Sequence, residues 1–276
     1  MACLFLSRVL YYNNNMRNEI KIIFVDIDWT LLDHNKHDFD YESIDGLKKA
    51  QKKGVLVYLC TARPYESIMQ IHLLDHFKPD GIICTNGGLV FYNDKVIMKN
   101  LFPSDMVKET LKVCNKKKLE VEYGTIKDRY FSVPSNKYVT NYFSTFNEKA
   151  CPVKDYEGEE VTSLLLMCPK RFDRYLKKRL PKELDYFRFH PFGVDIRYVR
   201  NDKGLGIDFV LKYHNICYDN ALSIGDDLQD IFMFEKTKYS ACLENGKDET
   251  KKAAKYICKS IDQHGVLDTL KYFKII

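Results

Sequence analysis

Apolar and polar positions fall into blocks along this chain, and the rhythm of the blocks changes twice. "IKIIFVD" (20–26) is a run of β-formers closed by an acid, the pattern of a strand buried on both faces. After a polar loop, Ile44, Leu47 and Ala50 recur at helical spacing, and Gly54 ends that helix. "VLVYLC" (55–60) is a second buried strand. Pro64 suits a first helical turn, and Ile68, Ile71 and Leu74 follow on one face. "DGIIC" is a third short strand, leading into "TNGG". Buried strands alternating with amphipathic helices predict a parallel sheet covered on both sides.

From Leu89 to Val199 strands and helices no longer alternate one for one. "LVFYN" and "KVIMKN" read as a hairpin, followed by a helix over 104–117 and the strands "LEVEYG" and "RYFSV". A helix carrying Val139, Tyr142, Phe143 and Phe146 comes next, then the strand "VTSLLLMC", a helix over 170–180 and two more strands. Beyond 200 the first rhythm resumes: "KGLGIDFVLKYH" is a helix, "ALSIG" a buried strand, and the acids of "DDLQD" follow it. The predicted fold class is α/β, a Rossmann-like core of 19–88 and 200–276 interrupted by an inserted α+β unit at 89–199. Residues 1–18 form an N-terminal extension. Residues 1–15 carry no pattern the core requires, and Met16 directly precedes "RNEIKIIFVD". That segment is expected to be dispensable, or translation starts at Met16.

Composition changes this picture little. The 276 residues are 45% hydrophobic and 29% charged, with a formal charge of +5 and scattered lysines. The longest basic run, Lys116–Lys118, ends the helix over 104–117. No basic stripe with interleaved aromatics argues for nucleic acid. No apolar run approaches the roughly 20 residues of a membrane helix. The opening "MACLFLSRVLYYNNNM" lacks the charged start and small-residue cleavage site of a secretory signal. Nine cysteines form no CxxC pair; Cys60, Cys84 and Cys168 close strand-like runs and read as buried thiols of a reducing, cytoplasmic protein.

The chemistry gathers at strand ends, where open parallel sheets bind ligands. Asp26 and Asp28 follow the first strand, Thr61 and Arg63 the second, Thr85 and Asn86 the third, and Asp226, Asp227 and Asp230 follow "ALSIG". Singly, Asp226, Asp230 and Thr61 have an ordinary reading as helix caps. Asp26 and Asp28 resist it: a strand's period of two puts both on one side at the end of a buried run, and a cap explains only one acid. Carboxylates converging there repel unless a hard dication, Mg2+ by its liking for oxygen, or protonation relieves them. Lys203, at the start of its helix, opposes the helix dipole. Either Asp202 offsets that charge as the cap, or the ammonium serves a phosphate site.

"DIDWTLL", "CTAR", "DKG" and "GDDLQD", in this order, resemble the four motifs of the haloacid dehalogenase superfamily of phosphatases. "CTNGGLVFYN" and the ending from "CLENGKDETKKAAKY" onward are similar to the Cof-like subfamily, in which an α/β cap is inserted between the third strand and the lysine motif. The resemblance implies roles. Asp26 is the nucleophile and Asp28 the acid/base. Thr61 and Lys203 hold the phosphoryl group. Mg2+ is bound by Asp26, the backbone carbonyl of Asp28 and Asp226, with Asp230 nearby. Arg63, Asn86 and Gln229 would contact substrate. Three positions depart from the pattern: Trp29 where glycine is most frequent, Gln229 where asparagine is usual, and Ala62 for the glycine of motif two. The implied function is Mg2+-dependent hydrolysis of a small phosphorylated metabolite, a sugar phosphate or a phosphorylated cofactor, by a monomer or weak homodimer. A phosphomutase or phosphotransferase, a phospho-acceptor signalling domain and a non-catalytic binding protein remain as alternatives. Cap aromatics such as Tyr123 or Tyr130 are expected to select the substrate.

Overall fold

The computed structural model describes residues 19–132, 151–198 and 201–276. The N-terminal extension, the helix expected around Val139–Phe146 and the junction at 199–200 lie outside the described residues. The first part of the chain forms β1 (Ile22–Val25), a small pair β2 (Leu32–Asp33) and β3 (Asp38–Phe39), β4 (Leu56–Cys60), β5 (Gly81–Cys84), β6 (Leu89–Tyr92) and β7 (Lys95–Lys99). Next come β8 (Glu120–Gly124), β9 (Arg129–Phe131), β10 (Ser163–Met167), β11 (Leu184–Arg188) and β12 (Gly193–Tyr198). The last part contributes β13 (Ala221–Gly225), β14 (Tyr239–Leu243) and β15 (Tyr256–Cys258).

Eight strands make one sheet in the order β15-β14-β13-β1-β4-β5-β6-β7, parallel from β15 to β5. The alternation within β1 explains its burial. Ile23 and Val25 pack against Ile44 and Leu47 of the helix Tyr41–Lys52 and Val266 and Leu270 of the helix Gly265–Tyr272. Ile22 and Phe24 face the other side, against Tyr58, Ile207 and Val210. The chain leaves β1 toward β4 and β5 and returns, after the insert, to β13 on the opposite flank of β1. That reversal makes the carboxyl ends of β1 and β13 the switch point where such sheets open a crevice.

Two expectations need correction here. The hairpin β6–β7, assigned above to the insert, belongs to the core sheet: β6 pairs antiparallel with β5, from Gly81↔Tyr92 to Cys84↔Leu89. It covers the edge that β5 would otherwise expose, so the second sheet begins beyond residue 100 rather than at 89. The helix after Pro64 is also not continuous. It runs Tyr65–Gln70, His72 turns left-handed at φ 60, and a short helix Leu73–His76 follows.

The insert builds an antiparallel five-stranded sheet, β11-β12-β10-β8-β9. One face packs on the helix Ser104–Asn115 and the short helix Asp173–Lys177, with Val107, Leu111 and Leu176 against Val121, Leu164 and Val194. That leaves the alternate residues for the other face. Glu122, Leu165 and Asp195 form one row across β8, β10 and β12, and all three line the cavity over the core sheet. Tyr123 therefore points the wrong way for the role expected of it. It is fully buried in the insert's own core, its hydroxyl donating to the Lys154 carbonyl at 3.1 Å, and Tyr130 packs partly buried against the same cluster. Cys60, Cys84 and Cys168 are buried and free, as their strand-end positions suggest. Among the described residues no helix is long and apolar enough to cross a membrane.

Candidate active site

Asp26 continues β1 by one residue. Its N–H donates to the Ile224 carbonyl at 3.0 Å, which brings it beside Gly225 and Asp226 at the end of β13. The chain then turns sharply. Trp29 adopts φ 58, and the N–H groups of Leu31 and Leu32 both return to the Ile27 carbonyl at 2.8 Å. The turn lets the Thr30 hydroxyl donate to Asp226 Oδ1 at 3.3 Å, so the motif's threonine positions an acid of the fourth motif.

Lys203 opens the helix Lys203–Tyr213, and Asp202 does cap it, accepting from the Leu205 N–H at 2.9 Å. The cap does not absorb the lysine's charge. Lys203 Nζ is buried between Asp26 Oδ1 at 2.7 Å and Asp230 Oδ1 at 2.6 Å. Its helix can reach this place because Gly87, at φ +84, lies against it. A Cβ on Gly87 would sit 2.0 Å from the Asp202 carbonyl oxygen.

Asp230 is spent on architecture. Its Oδ2 accepts from the Asp226 and Asp227 N–H groups at 2.8 and 2.9 Å, while Oδ1 holds Lys203. Asp227 turns outward to Lys247 at 2.6 Å. The Asp230 carboxylate packs so closely on Gly225 that an added Cβ would lie 2.3 Å from Oδ2. Gly225→Ala is accordingly expected to cost about 1–3 kcal/mol in a denaturant titration, and to lower activity by displacing the Asp226 loop.

The electrostatics are unbalanced. Asp26, Asp226 and Asp230 each offer a carboxylate oxygen, all within 4.8 Å of one another, around a single ammonium. Burial pushes the Asp26 carboxyl up to about 8 against the pull of Lys203, and Asp230 and Asp28 add to the push. Burial, then Asp230, Asp26 and Asp227, hold Asp226 well above the ordinary carboxylate range. Lys203 stays charged, because Asp230 and Asp26 outweigh the cost of its burial.

Asp28 has partners of a different kind from those of Asp26. Its side chain turns to Arg63, which donates from Nε at 2.8 Å and Nη2 at 2.7 Å, and to His34, whose Nε2 lies 2.6 Å from Oδ1. Burial works against ionisation here too, but Arg63 and His34 overcome it and hold Asp28 well below the usual carboxylate range. Two neighbouring acids are thus driven in opposite directions.

The remaining predicted residues lie as follows. Thr61 is buried at the end of β4 and lines the cavity; its Oγ1 accepts from the Arg63 N–H at 3.1 Å, which leaves its own proton for a ligand. The cap reading of Thr61 does not hold, since the helix Tyr65–Gln70 begins after Pro64 with no side-chain cap. Asn86, at φ 53, donates to Asp195 Oδ2 of the insert at 2.6 Å and so ties the two sheets together. Gln229 lines the cavity with its buried Oε1 left without a hydrogen-bond partner. His34 and the ion pair between Glu66 and Arg129 are not evident from the sequence. Arg129, on the insert, meets Glu66 and donates to Gln70 at 3.0 Å, both on the core helix Tyr65–Gln70, and to Glu122 at 3.3 Å. Nothing in a local pattern announces a charge pair between residues 63 positions apart.

A cavity of about 240 Å³ opens here, with Asp26, Thr61 and Lys203 among its core residues and the Glu122–Leu165–Asp195 row in its wall on the insert side. An acid pair, a threonine, a buried lysine and further acids at the switch point of a parallel sheet define an enzyme of the haloacid dehalogenase type. The family model for haloacid dehalogenase-like hydrolases matches residues 23–270, and the chain belongs to that family. It is a hydrolase of the phosphatase kind. It is 25% identical over 253 residues to "Putative phosphatase YkrA" of Bacillus subtilis, covering 91% of this chain and 96% of that protein. It is 22% identical over 257 residues to a phosphoglycolate phosphatase of Thermoplasma volcanium, covering 93% and 100%. The solved structure of the HAD subclass IIB sugar phosphatase BT4131 superposes with a TM-score of 0.82 at 25% identity, over 93% of this chain and all of that one.

Proposed function

We propose that the protein hydrolyses small phosphomonoesters with Mg2+, through an aspartyl-phosphate on Asp26. The observation that carries this reading is the opposite treatment of two acids at one cavity: Asp26 beside a buried ammonium, Asp28 beside a guanidinium. One is placed to attack, the other to handle protons.

The donor set fits a hard dication. Asp26 and Asp226 have carboxylate oxygens within reach of one point, and Gln229, whose Oε1 has no partner, lines the same cavity. Asp230, its oxygens committed to Lys203 and two N–H groups, positions the other ligands. When bound, Mg2+ supplies the charge neutralisation that lets a carboxylate approach a phosphate dianion. Lys203 keeps Asp26 oriented and receives the phosphoryl oxygens together with the Thr61 hydroxyl. With Arg63 seated on it, Asp28 is an ionised base, the form that takes a proton from water as the acyl-phosphate is hydrolysed. In the first half-reaction the incoming phosphoester draws Arg63 away, so Asp28 can carry the proton that the leaving oxygen needs. The insert, bridged to the core by Arg129–Glu66 and Asn86–Asp195, closes the cavity against bulk water.

A panel of small phosphoesters, assayed for phosphate release with and without Mg2+, tests the reading. Metal-dependent turnover is expected. A stable phospho-protein without turnover would favour a phospho-acceptor domain, and transfer to an added alcohol in preference to water a phosphotransferase. The insert is expected to set substrate ranking. Exchanging it for the insert of another family member should change that ranking and leave the metal dependence intact. An unchanged ranking in a folded chimera would remove the insert as selector.

A further inference from the structure

The cavity above Asp26 has two kinds of wall. Its charged groups on the insert side are already matched: Glu122 accepts from Arg129 at 3.3 Å, and Asp195 accepts from Asn86 at 2.6 Å and Arg197 at 2.9 Å. On the core side Arg63 is held by Asp28 and donates to Ser67 Oγ at 2.7 Å. A polyol leaving group needs partners for each of its hydroxyls, and from these charged residues it would obtain them only by breaking buried pairs. The apolar part of the lining includes Trp29, Pro64, Leu165 and Phe189.

Two of these are aromatic rings open to solvent, Trp29 at 36% and Phe189 at 39% exposure. They come from different sheets. Trp29 directly follows Asp28, the residue that serves the leaving oxygen, and Phe189 directly follows β11 of the insert. The turn at Trp29 does not ask for an indole. Its φ of 58 is a region that suits glycine better than a bulky side chain. The turn is held instead through the backbone, where the Trp29 carbonyl accepts from Asn245 Nδ2 at 3.0 Å. The ring lies against His34, with centroids 5.1 Å apart, itself paired with Asp28. A large flat ring is thus fixed next to the proton-handling acid, at some conformational cost and with no core to fill.

We propose that Trp29 and Phe189 receive the leaving group, and that the substrate class is a phosphomonoester whose hydroxyl is borne on a flat, unsaturated ring. This rests on the phosphatase reading for where the phosphate sits, but the ring contact can be measured without turnover. Trp29 is the chain's only tryptophan, so its emission reports directly on what lies against it.

The test titrates the full-length protein, in Mg2+, with two non-hydrolysable probes of equal charge, naphthylmethylphosphonate and propylphosphonate. The aryl probe is expected to quench or shift the emission and to bind roughly five- to tenfold tighter, the gain of an aromatic contact. Phe189→Ala should remove most of that preference. In turnover, Trp29→Gly, a substitution the backbone accommodates, should lower the ratio of kcat/KM for benzyl phosphate to that for glycerol phosphate by a similar factor. Equal binding of the two probes, no change in emission with either, or a preference untouched in Phe189→Ala would overturn the proposal. If no ester is turned over but the aryl probe binds selectively, the phosphatase reading fails and the ring site stands.

Discussion

Asp26→Asn is expected to lower kcat by about 10^4-fold or more, the scale seen when a covalent nucleophile is lost. The amide matches the carboxylate in shape, so the loss is chemical. An amide oxygen is a poor nucleophile toward phosphorus and a weak ligand for a hard dication. The fold should tolerate the change. Asp26 is a buried acid that its surroundings push up to about 8, so neutralising it relieves repulsion from Asp230 and Asp28, and Lys203 keeps Asp230 at 2.6 Å. Initial rates with an aryl phosphate, beside a melting curve, check both halves. Activity within tenfold of the parent would remove Asp26 as the nucleophile.

Lys203→Met should be the most damaging substitution for stability. The ammonium is buried and bridges Asp26 and Asp230, and its removal leaves two buried acids without a counter-charge. Breaking a buried pair in this way costs about 3–5 kcal/mol, read in chelator-containing buffer as a lower denaturant midpoint. The loss should depend on pH with a definite sign. An acid with a raised folded pKa binds more protons folded than unfolded, so stability falls as pH rises from the ordinary carboxylate range near ~4 toward the raised value of about 8 for Asp26. The lysine is what limits that fall in the parent. The variant's deficit should therefore be larger at pH 8 than at pH 5. A deficit independent of pH would mean that Lys203 acts through packing instead of charge.

The parts of the fold carried by local pattern were legible in the sequence: the buried strands, the order of the motifs, and the break in rhythm that marks the insert. Asp26, Thr61, Lys203 and Asp226 converge because each sits at the carboxyl end of a parallel strand or at the start of a helix packed on one, and those positions follow from the chain's alternation. What was not legible depends on phase and partner. The hairpin β6–β7 alternates like any hairpin, and nothing in its residues says which sheet edge it joins. Tyr123 and Glu122 are neighbours on one strand, and a period of two cannot say which faces the core until Leu164 and Leu165 are paired across from them. Arg63 reaches Asp28, and Asp230 caps its own loop beside Asp26 and Asp226, contacts that no local pattern announces. Both are long-range outcomes of which charges lie closest once the backbone is set. Trp29 is the departure that the sequence flagged and the structure places: its ring lies in the cavity lining beside the proton-handling acid.

The central claim is covalent: phosphorus passes through a bond to Asp26. Asp28→Asn removes the base that activates water and retains the backbone carbonyl, so with an activated aryl phosphate, whose leaving group needs no proton, the variant should form the acyl-phosphate and hydrolyse it slowly. Rapid acid quench of that variant in Mg2+, followed by borohydride reduction and peptide mapping, locates the bond. The account predicts a stoichiometric reduction product at position 26 that is missing without Mg2+. Release of the aryl group with no modified residue, or modification at any residue other than Asp26, would contradict it.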